Sequence, residues 1–153
     1  MPALLIPLVL LMNGLAAGCM LGTLLGGWPL LAGLPDDGYV RTHAFFSGRY
    51  DPYMPICTLG TLLGDTVLAA TVGDGWARAC FTAAALLALC TVVISFAKNV
   101  PVNRWIRTVD PDNLPAGFDA TQRRGQWGLW NKRRSVITML ALLSNCAALA
   151  TLL

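Results

Sequence analysis

The chain has 153 residues, of which 56% are hydrophobic and 12% charged, with a formal net charge of +3. That charged fraction is about half the ~25% of a soluble domain, which excludes most soluble enzymes. At ~20 apolar residues per span, four membrane helices would use roughly half the chain. The basic residues lie beside apolar runs rather than in a separate tail, so membrane topology accounts for them and no nucleic-acid partner is expected.

The first apolar run, residues 3–25, is long enough to span and carries Gly14, Gly18, Gly22 and Gly26 at a four-residue repeat. Such a stripe lets another helix approach closely, either in a homo-oligomer or within the monomer. Ala16-Ala17-Gly18-Cys19 has the form of a lipoprotein cleavage box, but no Lys or Arg precedes the run, so a retained helix is expected. A mixed polar segment follows at 28–55. In it Tyr39, Val40, His43 and Phe46 recur at helical spacing and predict a short amphipathic helix at the membrane interface. Asp51-Pro52 and Met54-Pro55 predict a turn into the second span, 56–72, which contains Gly60, Gly64 and Asp65. Gly73-Asp74-Gly75 makes a tight turn to the third span, 76–97, with Trp76 as an interface anchor.

The segment 98–134 is broken by Pro101, Pro111 and Pro115 and holds eight of the eleven Lys and Arg residues. The fourth span, 135–153, ends the sequence. Cationic loops stay in the cytoplasm, so 98–134 is expected there, and with four spans 28–55 lies on the same side. The two polar segments can then meet. The expected fold is a single all-α membrane domain, residues 1–153: a four-helix bundle with short interfacial helices in its two polar loops, in a membrane of the bacterial plasma-membrane type.

Five cysteines, Cys19, Cys57, Cys80, Cys90 and Cys146, fall inside apolar runs with no CxxC spacing, which reads as small buried hydrophobes rather than a disulfide set or thiolate metal site. The candidates for chemistry lie elsewhere. His43 is the only histidine and the side chain best suited to proton exchange near neutrality. Asp65 sits within a span, where an ionised group costs ~3 kcal/mol or more; it is either part of a site or hydrogen-bonded to Asn13 or Asn145 of a neighbouring helix. Trp127, Asn131 and Arg134 follow i, i+4, i+7 spacing and share one helical face. Asn99 and Asn103 follow the third span with Arg104 and Trp105 beside them. From spacing alone, a Trp and Arg stripe at a membrane boundary is equally an anchoring belt.

The RYDPYMP segment at 49–55, NVPVNRWI at 99–106 and WGLWNKRRS at 127–135 together resemble the anthrone oxygenase-like membrane protein family, over nearly the whole chain. The specific elements are Pro101 and Asn103, and the Trp127, Asn131, Arg134 set. The resemblance implies a membrane-bound oxygenase or oxidase. It would act on an electron-rich secondary-metabolite intermediate, an anthrone-like aromatic or an amine or hydrazine, with molecular oxygen as co-substrate. In anthrone-type relatives the position of Asn131 often looks like a histidine, so the reaction class carries over and the compound does not.

Such chemistry needs a base, anion stabilisers and a dry pocket. His43 is the expected base and Asp65 the second choice. Asn103, Asn131 and Arg134 are the expected donors to a developing oxyanion. Trp105, Trp127 and Trp130 offer flat surfaces for an aromatic ring, and Tyr53 and Arg49 add further substrate contacts. No organic cofactor or metal is expected, since the deprotonated substrate supplies the electrons. Two alternatives stay open. One is a copper- or iron-dependent oxidase with His43, Asp51, Met54 and Asp65 as ligands. The other is a non-enzymatic assembly or transport subunit.

Overall fold

The computed structural model describes residues 2–51 and 53–153, with side chains from Leu4 on; Pro52, expected in a turn, lies outside the described residues. Helix α1 spans Pro2–Gly22 and passes through one turn of π-helix, Thr23–Gly27, into α2, Trp28–Gly33. Extended backbone at Leu34 and Pro35 leads to α3, Asp36–Tyr50, whose first turn carries Asp36 and Asp37, where carboxylates complement the helix dipole. Next come α4, Tyr53–Thr71, and α5, Gly75–Ile94, the latter capped by the Asp74 side chain accepting from the Ala77 amide at 2.7 Å. A second π-turn, Ser95–Asn99, joins α5 to α6, Val100–Ile106; after an irregular stretch, α7 runs from Thr121 to Ala150.

Both π-turns stand just ahead of a proline, Pro29 or Pro101, placed near the start of the following helix. A proline lacks the amide hydrogen and crowds the carbonyl four residues back, and a widened turn relieves both problems without breaking the helix. The first span therefore continues to Gly33 and the third to Ile106, beyond the expected ends at 25 and 97. Likewise Met54 and Pro55 belong to the first turn of α4 rather than to a loop, and the fourth helix begins 14 residues earlier than expected, at Thr121 instead of Ser135.

Helices α1, α4, α5 and α7 pack as an up-and-down bundle, each against its chain neighbour and α7 back against α1. Among the described residues, three stretches are long and apolar enough to cross a membrane: Leu4–Gly33, Tyr53–Thr71 and Gly75–Ile106. The fourth member, α7, has a basic first half and an apolar second half. The bundle buries polar side chains among its apolar ones and exposes large apolar ones on its outer surface. Asn13, Thr61, Asp65, Thr91, Thr138 and Asn145 are buried, whereas Leu4, Leu15, Leu25, Ile56, Leu63 and Leu143 are exposed. In water that distribution exposes too much apolar surface. In lipid it is the expected one, because interhelical hydrogen bonds rather than hydrophobic burial tie the helices.

Within the chain, the glycines that allow close helix approach are not those of the α1 stripe. An added Cβ at Gly14, Gly18, Gly22 or Gly26 meets no atom within 4 Å, so the stripe packs against nothing within the chain. Close approach occurs instead at Gly60 against Met12 and Gly64 against Val9, where α4 meets α1, and at Gly128, on which the Trp28 ring is seated.

The two polar segments do meet, forming a cap over one end of the bundle. Arg124 binds Asp36 at 2.5 Å and the Leu34 carbonyl at 2.7 Å, Arg41 reaches Asp112 at 2.6 Å, and Leu31, Tyr39, Val40, Ile106, Ala120 and Trp127 form its apolar core. Helix α3 buries Tyr39, Val40, His43 and Ser47 in this cap, so its inward face packs on protein. At the opposite end the bundle is closed by Ile6, Val9, Leu68, Val72, Phe81 and neighbours.

Candidate functional site

A cavity of about 400 Å³ lies where the bundle meets the cap. It lies beside Gly18 and Gly22 of α1, where an added Cβ would meet no atom within 4 Å, and beside Thr23 and Gly27 of the first π-turn. Its bundle side is made by Gly18, Cys19, Met20, Gly22, Thr23 and Gly27. Its cap side is made by Leu31, His43, Ser47, Asn103 and Trp127, while Phe46, Tyr50, Asp51, Met54 and Arg134 complete the wall.

The two motif elements converge on this wall. Trp127 donates through Nε1 to Asn103 Oδ1 at 2.9 Å, and Asn99 Nδ2 donates to the Trp127 carbonyl at 3.2 Å. Asn103 Nδ2 donates to Asp51 Oδ1 at 3.0 Å, which leaves Asn103 Oδ1 as acceptor for His43 Nε2 at 3.1 Å. An amide oxygen only accepts, so the His43 proton is on Nε2, and Nδ1 accepts from the Tyr39 hydroxyl at 2.9 Å. The His43 ring packs edge-on to Trp127 with centroids 4.6 Å apart. Arg107 closes the chain of contacts on Asp51 Oδ2 at 3.0 Å.

His43 is therefore buried in the wall with both ring nitrogens occupied, and burial pushes its pKa down from 6.5 to about 4. Burial likewise pushes the Tyr39 hydroxyl up to about 12, keeping it a donor. The depressed imidazole value has a consequence for stability. Between about pH 6.5 and 4 the unfolded chain holds a proton at His43 that the folded chain does not, so stability falls as pH drops through this window. The full span is worth roughly 3 kcal/mol. The thermal midpoint in detergent, followed from pH 7.5 to 4.5, should fall less steeply for His43→Gln than for the parent protein; equal slopes would remove His43 as the cause.

Arg134 donates from Nε and Nη2 to Asn131 Oδ1 at 3.3 and 3.0 Å and from Nη1 to Ser95 Oγ at 3.2 Å. All these partners are neutral, and among the described residues no carboxylate lies within ion-pair distance of it. Asn131 is fully buried behind Arg134 and holds it, while its Nδ2 has no partner. The wall thus offers a carboxylate, Asp51, and a guanidinium that has no contact ion pair and feels Asp51 only through space.

Other expected site residues lie elsewhere. Asp65 is not at the cavity. It is sealed in the bundle core, where Asn145 Nδ2 donates to its Oδ2 at 3.3 Å, the structural pairing that was the alternative for it. Trp105 stacks on Phe118 under Arg123 in the cap, and Trp130 lies between Lys98 and Arg133. Arg49 covers the exposed Phe45 ring, and Tyr53 is 69% exposed. Of the substrate-binding set only Trp127 lines the cavity. Of the alternative metal ligands, His43, Asp51 and Met54 share the cavity but Asp65 does not. No cluster of three or more His, Cys, Asp or Glu able to hold a metal occurs among the described residues.

Sequence reasoning gave Asp51 no acid–base role and passed over Tyr39 as a partner of His43. The second had a local signal, since Tyr39 and His43 are four apart on one helix; the position of Asp51 depends on Asn103 and Arg107, more than fifty residues away.

No curated protein and no solved structure matches the chain. The sequence profile described as anthrone oxygenase matches residues 43–144, a stretch running from His43 through Asn103 to the Trp127, Asn131 and Arg134 face. With two thirds of its length matched, including His43, Asp51, Asn103, Trp127 and Arg134 of the cavity wall, the chain belongs to the anthrone oxygenase family.

Proposed function

We propose that the chain is a membrane-bound oxygenase that oxidises an acidic, electron-rich aromatic substrate with molecular oxygen. The observation that carries this reading is the cavity wall, which the Asp51 carboxylate, the Arg134 guanidinium, held only by neutral partners, and Trp127 line together. A volume of about 400 Å³ lies within the ~300–1,000 Å³ of small-molecule sites.

Asp51 takes the acidic proton of the substrate. Both its oxygens are engaged, but a carboxylate has about four lone-pair sites and retains acceptor capacity, whereas His43 has no free nitrogen. His43 and Asn103 act as positioning residues for Asp51. Arg134 stabilises the anion that forms, in a site where a fixed charge is worth more than in water. The anion supplies the electrons: its carbon bonds to one oxygen atom of O₂, giving a hydroperoxide once protonated. That intermediate loses the second carbon-bound hydrogen and breaks the O–O bond to yield a ketone and water. The balance is R₂CH₂ + O₂ → R₂C=O + H₂O. The two polar segments of the cap face the cytoplasm in this reading, following their positive charge.

The test is oxygen uptake by detergent-purified protein with a panel of anthrones, hydroquinones and hydrazines, run with ¹⁸O₂ and beside elemental analysis. One labelled oxygen per molecule of product, with one O₂ consumed, is expected for an anthrone. No uptake with any member of the panel sinks the enzymatic reading, and a stoichiometric copper or iron replaces substrate-driven oxidation by metal chemistry.

A further inference from the structure

We propose that substrate reaches the cavity sideways from the bilayer, through a cleft between α1 and the α3–α4 corner that Gly18 and Gly22 keep open. Helices α1 and α4 are in tight contact at Val9 with Gly64 and at Met12 with Gly60. Continuing that antiparallel register to the start of α4 places Gly18 opposite Met54, and both line the cavity together with Gly22 of α1 and Tyr50 at the end of α3. There the contact is lost: a Cβ on either glycine meets nothing within 4 Å.

The wall itself shows where the cavity opens. Leu31, His43, Ser47, Asn103 and Trp127, on the cap side, are buried, whereas Gly18, Gly22 and Tyr50 line the cavity and are also exposed. The surface around this mouth is apolar, with Leu21, Leu25, Tyr53 and Ile56 exposed beside it. An opening so framed admits a molecule dissolved in lipid and leads it, acidic group foremost, toward Arg134 and Asp51. Any larger side chain at position 22 would project into the gap.

Cys19 lines the cavity just inside the mouth, and Cys90 is exposed on α5 as an internal reference. In lipid vesicles, an apolar maleimide should label Cys19 of the wild-type chain, read against Cys90 by site-resolved mass spectrometry, and a membrane-excluded cationic thiosulfonate should not. Gly22→Phe should lower the Cys19 to Cys90 ratio at least tenfold. Gly14→Phe, on the same helix face but away from the cavity, should leave it unchanged and serves as the folding control. If the cationic reagent labels Cys19 as well as the apolar one, or Gly22→Phe does not change the ratio, the lateral route is wrong; failure of both reagents to reach Cys19 also overturns it. The inference rests on the cavity being a substrate site, but labelling reads the route and not the reaction, so a blocked cleft and an inactive protein are separate results.

Discussion

Replacing Arg134 with glutamine is expected to lower kcat/KM by about 10²–10³-fold, the loss typical of one well-placed oxyanion donor, without lowering the thermal midpoint. The two halves of this expectation have one cause. Arg134 is held by Asn131 and Ser95, both neutral, and has no ion-pair partner among the described residues. A cation withdrawn from water without a counter-ion is a cost to folding, and its removal strands no buried carboxylate. The Asp51 carboxylate acts on Arg134 only through space, which leaves the guanidinium open to direct contact with a substrate anion. Oxygen uptake and calorimetry on the same preparation separate the possibilities. Undiminished turnover, or a midpoint that drops by several degrees, would falsify the role in anion stabilisation.

Asp51→Asn is expected to lower kcat by about 10²–10⁴-fold, the range of a lost general base. The amide nearly matches the carboxylate in shape, and its oxygen can still accept from Asn103, but it does not take a proton at neutral pH. Arg107 loses its ionic partner, yet that pair is partly exposed, with side chains 36% and 27% accessible, so the effect on stability should stay within about 1 kcal/mol. Asp51→Glu should recover part of the rate, because it restores the base and misplaces it by one methylene. The informative comparison is with His43→Gln. If that variant is inactive while Asp51→Asn turns over normally, the imidazole is the proton acceptor after all, and its bond to Tyr39 must open during the reaction.

Much of this protein was legible without coordinates, and the reason is that the legible part is local. Apolar runs of about twenty residues, the periodicity around Tyr39 and His43 and the i, i+4, i+7 set Trp127, Asn131, Arg134 each depend on a few turns of chain, where helical geometry dictates the outcome. The charge asymmetry of 98–134 likewise predicted that the two polar segments share one end of the bundle, and Arg124 with Asp36 and Asn103 with His43 join them there. Helix ends were less accessible, because a π-turn ahead of Pro29 and Pro101 carried each helix through a signal that ordinarily ends one.

What only the tertiary structure decided is which side chains share a space. Asp65 and Asp51 are both carboxylates at or near a span, and nothing in their flanking residues says which one faces a cavity. The bundle sets α4 and α7 diagonally across its core and so gives Asp65 to Asn145, and the fold of the cap brings Asn103 and Arg107 to Asp51. The same holds for the glycines. Within the chain, tight contact falls at Gly60, Gly64 and Gly128 rather than on the regular stripe of α1, where Gly18 and Gly22 border open space. Composition and helical period determine that this chain forms apolar helices with a polar cap at one end. Contacts between residues far apart in sequence depend on helix rotation and register, which no local pattern encodes, and these decide where the cavity lies and what its wall presents.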